Sequence, residues 1–258
     1  MSGPEMWASP PVGGDSSSST PAIDADYYRR LLDRLLSMLS HDLRTPLSAM
    51  SGWLFLLDSD KLDAAGRKRA LDKIRTNLDE EVRLLDDSLA LARVKAGTLK
   101  IDRTALDLNA VIDAAIGKVR HTAAAKGVIV EFAPAPGQPL HVSADEPRLR
   151  RAFELVLERA IRDLQSGTPR LSIEALERST SIEIVVTDSG RGISPEALRW
   201  ITDPFGSPPD GNTVSRYSPD RSLLVAAALV EVHDGRLSVS SAGEGAGTSV
   251  AITLPRAA

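Results

Sequence analysis

Ser40-His41-Asp42-Leu43-Arg44-Thr45-Pro46-Leu47 sets a histidine, an acid and a hydroxyl close together in an otherwise leucine-rich stretch. Upstream, Leu32, Leu35, Leu36 and Leu39 recur at helical spacing, and Leu47, Met50, Trp53, Leu54 and Leu57 continue the series downstream. That is the roughly 3.6-residue period of a helix with one buried face. The spacing predicts a long helix over residues 25–58, broken by Asp58-Ser59-Asp60. His41 lies two residues from both Leu39 and Leu43, off the centre of the stripe, where water can reach it. Thr45 follows four residues later and shares its face, with Asp42 alongside. Pro46 lacks an N–H and loosens the helix locally.

A second helix is predicted over residues 63–96, where Leu71, Ile74, Leu78, Val82, Leu85, Leu89 and Val94 keep the period and Gly97 ends it. Each helix is about 50 Å long at a rise of about 1.5 Å per residue. A two-helix hairpin leaves apolar surface uncovered. Two chains pairing as a dimeric four-helix bundle cover it economically. The alternative is a hairpin packed on the rest of its own chain.

The 258 residues allow one large or two modest domains. A net charge of −4 argues against a nucleic-acid surface. The chain has no cysteine, so disulfides and thiolate metal sites are excluded. The remaining histidines, His121, His141 and His233, are isolated, read as surface or capping residues, and suggest no metal site. The longest apolar run, Leu223 to Val230, is far short of a membrane span, and no basic-then-apolar leader opens the chain. The expectation is a cytoplasmic protein. Residues 1–24, rich in Ser, Pro and Gly, read as a disordered tail.

From about residue 105 the pattern becomes α/β. Helices are expected at 108–126, 147–164, 195–201 and 220–233, and strands at 128–132, 140–143, 170–176, 181–187, 236–241 and 248–254. Without regular βαβ alternation, this order argues a mixed sheet with helices on one face, forming an α/β sandwich after the helical hairpin.

His41-Asp42-Leu43-Arg44-Thr45-Pro46-Leu47 resembles the phospho-acceptor box of bacterial two-component sensor histidine kinases. The α/β part resembles their ATP-binding domain, shared with gyrase and heat-shock ATPases. The resemblance implies a dimerisation and histidine phosphotransfer unit at 25–98, a hinge, and an ATP-binding domain at 105–258. It also implies that Asp188, Gly190 and Gly192 of Asp188-Ser189-Gly190-Arg191-Gly192 hold adenine, that Asp203-Pro204-Phe205 leads into an ATP lid, and that Thr248 supports the adenine pocket.

Two motifs depart from that family. Its asparagine box falls on the helix around residue 155, with Leu155 and Arg159 where the asparagines stand. The second asparagine normally ligates Mg²⁺, which takes oxygen ligands; arginine offers none but can pair with a phosphate. The other reading makes Arg148, Arg150, Arg151, Arg159 and Arg162 the solvated face of an amphipathic helix. Asp220 and Ser222 stand where the family's lid has glycines. Asp220 would oppose a triphosphate with about 4 kcal/mol per charge pair at 4 Å and an effective dielectric near 20, as an upper bound.

The resemblance implies that His41 takes a phosphoryl group from ATP, that Asp42 orients the ring and acts as base, and that Thr45 positions water for dephosphorylating the partner. The partner implied is the receiver domain of a response regulator, whose aspartate accepts the phosphoryl group. Another kinase or sensor protein is a further partner expected upstream. The alternatives are a pseudokinase that serves as phosphotransfer protein or regulator phosphatase without ATP, and a dimeric scaffold.

Overall fold

The computed structural model describes residues 25–59, 61–134, 139–164, 169–202 and 220–257. The expected tail at 1–24 and the Asp203-Pro204-Phe205 stretch, with Phe205, lie outside the described residues. Two compact units divide between Arg93 and Val94.

The first unit holds two helices, α1 (Ala25–Asp58) and α2 (Ala64–Lys95). Helix α1 runs through Pro46 without interruption. The inward face of α2 carries Gly66, Ala70, Glu81, Leu84, Asp87, Ala90 and Leu91. The stripe read from the sequence is a neighbouring face, and Leu71, Leu78, Val82, Leu85 and Leu89 on it are exposed in the single chain. On α1, Leu36, Leu47, Leu54 and Phe55 are exposed as well. Gly97, with φ of 65°, follows α2 in the left-handed conformation expected of a C-terminal glycine.

The second unit is a two-layer α/β fold. Strands β2 (Ile129–Ala133), β4 (Arg170–Glu177), β5 (Ser181–Asp188), β7 (Thr248–Pro255) and β6 (Arg236–Ser240) form one sheet in that order. β2 pairs with β4 in parallel and every other pair is antiparallel, so the sheet is mixed. Helices α3 (Leu108–Ala125), α4 (Glu146–Asp163) and α6 (Arg221–Glu231) form the opposing layer, with α4 between the other two; the short α5 (Pro195–Thr202) lies near β6. Alternation does the sorting: Ile182, Ile184 and Val186 of β5 and Val250, Ile252 and Leu254 of β7 face the helices and are buried. Helices α3, α4 and α6 each start on an aspartate cap: Asp107 accepts from the Asn109 N–H, Asp145 from Arg148, and Asp220 from Ser222 and Leu223.

A strand that the sequence reading passed over, β1 (Thr104–Asp107), pairs antiparallel with β3 (His141–Ala144) in a separate two-stranded sheet. Of the two roles read for His233, surface or capping, it takes the second. It is not a surface residue but is 1% exposed. Its Nε2 accepts the Asp145 N–H at 3.0 Å and its Nδ1 lies 2.7 Å from the Leu229 carbonyl oxygen. A ring that accepts at Nε2 carries its proton on Nδ1, so His233 is neutral. It ties the end of α6 to the cap of α4.

Candidate functional site

The backbone of His41 lies within α1, while its side chain falls outside the described residues. On the same helix Asp42 is half-buried and Thr45 is exposed. An open groove of about 500 Å³ runs along this part of α1, lined by Ser40, Leu43, Arg44, Leu47, Ser48 and Ser51.

The expected nucleotide residues gather in the second unit. Asp188 ends β5 at an inward-facing position, so its carboxyl is buried against α4. Thr248, its direct partner in the β5–β7 register, opens β7 and is buried too. Asp188 Oδ1 accepts the Gly190 N–H at 2.8 Å. Burial pushes the Asp188 carboxyl above the ordinary carboxylate range; the Gly190 N–H and the Arg159 charge pull it partly back.

The two glycine-rich loops are one structure, which separate motif readings did not reveal. The Gly245 N–H donates to the Arg191 carbonyl at 2.6 Å and the Gly247 N–H to the Gly190 carbonyl at 3.2 Å. Close approach explains the glycines. A Cβ at Gly190 would stand 2.7 Å from the Asp163 carbonyl oxygen, and Gly192, at φ of 68°, would drive one into the Gly243 carbonyl.

Arg159 is not on a solvated face. It is 3% exposed, on the buried side of α4. Its Nε lies 2.9 Å from Asp220 Oδ2, its Nη2 3.0 Å from Asp163 Oδ2 and its Nη1 3.7 Å from Asp188 Oδ2. Nη1 is buried and makes no hydrogen bond. The exposed Arg162 and Arg191 add contacts at the rim, Arg162 Nη2 to Asp220 Oδ2 at 3.3 Å and Arg191 Nη2 to Asp163 Oδ1 at 3.2 Å.

The two departures from the family pattern are therefore partners. Asp220 divides its oxygens: Oδ1 accepts from the first amides of α6, and Oδ2 takes Arg159 and Arg162. Its charge is compensated within the protein, which corrects the expectation that it simply opposes a triphosphate.

A nucleotide and a magnesium ion fit this arrangement differently. The base end retains a buried acceptor on a close-turning glycine cradle, which suits an adenine ring. The metal end does not suit Mg²⁺. A guanidinium stands where an oxygen ligand would be, and each nearby carboxylate already faces a guanidinium. Among the described residues no group of His, Cys, Asp or Glu side chains is placed to hold a metal ion.

Comparison with known proteins bears on both units. Residues 31–97 match the family described as His Kinase A (phospho-acceptor) domain, and residues 144–258 match Histidine kinase-, DNA gyrase B-, and HSP90-like ATPase. The chain belongs to the two-component sensor histidine kinase family. Among its histidine kinase relatives, histidine protein kinase DivJ of Caulobacter vibrioides is 28% identical over 90% of this chain and 39% of its own. Signal transduction histidine-protein kinase BaeS of Escherichia coli is 26% identical over 84% of this chain and 45% of its own. The chain thus spans less than half the length of these kinases. Two solved histidine kinases share the fold. Acinetobacter baumannii AdeS has a TM-score of 0.62 at 21% identity, covering 83% of this chain and 97% of that one. ThkA, in complex with response regulator protein TrrA, has a TM-score of 0.61 at 17% identity, covering 90% and 64%. No described helix of this histidine kinase homologue is long and apolar enough to cross a membrane.

Proposed function

We propose that this chain is a cytoplasmic protein-histidine kinase that carries a phosphoryl group on His41 and passes it to a response regulator. Residues 25–98 are the phosphotransfer and dimerisation unit and residues 105–258 the ATP-binding domain. The observation that carries the reading is the conjunction of an acid–hydroxyl pair, Asp42 and Thr45, beside His41 on α1 with a buried Asp188 on a glycine cradle in the second unit.

In the proposed reaction an imidazole nitrogen of His41 attacks the γ-phosphorus of ATP. The N–P bond forms as the bond from that phosphorus to its bridging oxygen breaks, and ADP leaves with the electron pair. Asp42 takes the ring proton and stabilises the imidazolium. A receiver-domain aspartate then attacks the same phosphorus, and the N–P electron pair returns to the ring. Thr45 positions water for the opposite task, removing the phosphoryl group from the regulator. Phosphoryl transfer rests on positioning and on neutralising charge. Asp188, Gly190, Gly192 and Thr248 hold the base, and Arg159 faces the phosphates.

Two features support the partners. The groove along α1 offers a receiver domain a surface of apolar, hydroxyl and guanidinium groups. The exposed stripe on α2 gives a second copy of the chain an apolar face to cover.

The test is incubation of the purified chain with γ-labelled ATP, then with isolated receiver domains. Acid-labile, base-stable label that disappears in His41→Ala supports the reading. Label acquired from a phosphorylated receiver domain but never from ATP would replace it with the nucleotide-independent phosphotransfer alternative.

A further inference from the structure

The charge at the metal end of the pocket is already supplied, and by the protein. Arg159 sits on α4, buried, with Asp163, Asp188 and Asp220 around it. Arg162 and Arg191 close the group from the rim, so three guanidiniums meet three carboxylates.

A divalent ion entering here meets two obstacles. Mg²⁺ demands oxygen ligands in near-octahedral geometry, and each carboxylate of the cluster already has a guanidinium partner. Arginine keeps its charge at any working pH, so the carboxylates stay neutralised and offer an incoming ion no free anionic ligand. Arg159 also reaches the base end, 3.7 Å from Asp188 Oδ2, but the loop geometry there is kept. Gly190 keeps its 2.8 Å bond to Asp188, and the loops on either side keep theirs.

One atom of the cluster is unfinished. Arg159 Nη1 is buried, 3.7 Å from Asp188 Oδ2, and has no hydrogen-bond acceptor. A buried donor without an acceptor is costly, and such groups in folded proteins are nearly always satisfied. An oxygen acceptor of a bound nucleotide would complete it.

We propose that this site takes an adenine nucleotide without a divalent cation, Arg159 serving as its fixed positive charge. The proposal rests on the nucleotide reading given above and deepens it. The coupled presence of Asp220 follows from the same logic. A lone arginine among Asp163 and Asp188 would leave the amino end of α6 free, whereas Asp220 caps that helix with one oxygen and holds the guanidinium with the other.

The test is calorimetric titration of ATP into the full chain, once with chelator and once with Mg²⁺ in excess. The expected result is a dissociation constant that changes by less than about twofold between the two. The double variant Arg159→Asn with Asp220→Gly is expected to bind at least about tenfold more tightly with Mg²⁺ than with chelator. Arg159→Lys retains a cation and is expected to stay indifferent to the metal. Wild-type binding that requires Mg²⁺ overturns the proposal and leaves the nucleotide reading standing. Absence of ATP binding under both conditions overturns both. The wild-type comparison decides the matter even if the double variant does not fold.

Discussion

Arg159 Nε and Asp220 Oδ2 lie 2.9 Å apart, joining α4 to the residue that caps α6. Each occupies a position at which the family pattern puts an uncharged residue, and each finds its charge answered by the other. The pair belongs to a cluster whose centre is nearly closed to solvent, with Arg159 and Asp188 at 3% and 2% side-chain exposure.

Removing the guanidinium leaves buried carboxylates facing one another. Arg159→Met should therefore destabilise the chain by about 3–5 kcal/mol, the usual effect of breaking a buried ion pair from one side. Asp220→Asn alone should do less, because Asp163 and Asp188 remain. Denaturant unfolding of both single variants and the double gives the coupling energy. A neutral Arg159→Met is incompatible with the packing described.

His233 makes stability depend on pH. Burial holds its folded-state pKa below the ordinary value near 6.5, with the Arg103 charge acting in the same direction. Above about pH 6.5 the ring is neutral folded and unfolded, and its contribution is complete. Below that, the unfolded chain takes up the proton first, so stability falls as pH drops towards the folded-state value. Unfolding midpoints compared at pH 7.5 and 5.5 should fall more for the wild type than for His233→Gln. Equal losses would remove His233 from the account.

Glu81 is buried on α2 with both carboxylate oxygens unpartnered, and burial raises its pKa. A raised carboxylate pKa means that the ionised form opposes folding above that pKa. Glu81→Leu should stabilise the chain by about 1–3 kcal/mol, as loss of an unsatisfied buried group does. The gain should be larger at pH 8 than at pH 4. Thermal unfolding at the two pH values checks it.

The exposed α2 stripe sets a further expectation. Val82→Glu places a charge where a second copy would cover apolar surface, and should shift the chain towards monomer in sedimentation while leaving its helical content unchanged. A wild-type chain that sediments as a monomer at high concentration contradicts the dimer.

Much of the fold was legible because local signals agreed. The aspartate caps at Asp107, Asp145 and Asp220 precede helices with clear apolar periods, and Ile182, Ile184 and Val186 alternate as a strand buried on one face should. β1 was not legible, because four residues carry too little alternation and its partner β3 is distant in sequence. Arg159 was disguised by Arg148, Arg150, Arg151 and Arg162 on the same helix. Its spacing of four from Asp163 and from the buried Leu155 was the available clue. The pairing with Asp220 spans 61 positions, and only the tertiary fold brings the two together. The buried positions of α2 mix Gly66, Ala70, Glu81, Asp87 and Ala90 with only Leu84 and Leu91, so hydrophobic periodicity pointed to a neighbouring face.

The most direct measurement is peptide mapping by mass spectrometry of the chain after incubation with ATP, kept alkaline throughout to preserve a phosphoramidate. The account predicts one phosphoryl group on the peptide containing His41, present with chelator as well as with Mg²⁺, and lost on mild acid treatment. Phosphoryl groups found on serine or threonine, with the His41 peptide unmodified in both conditions, would contradict it.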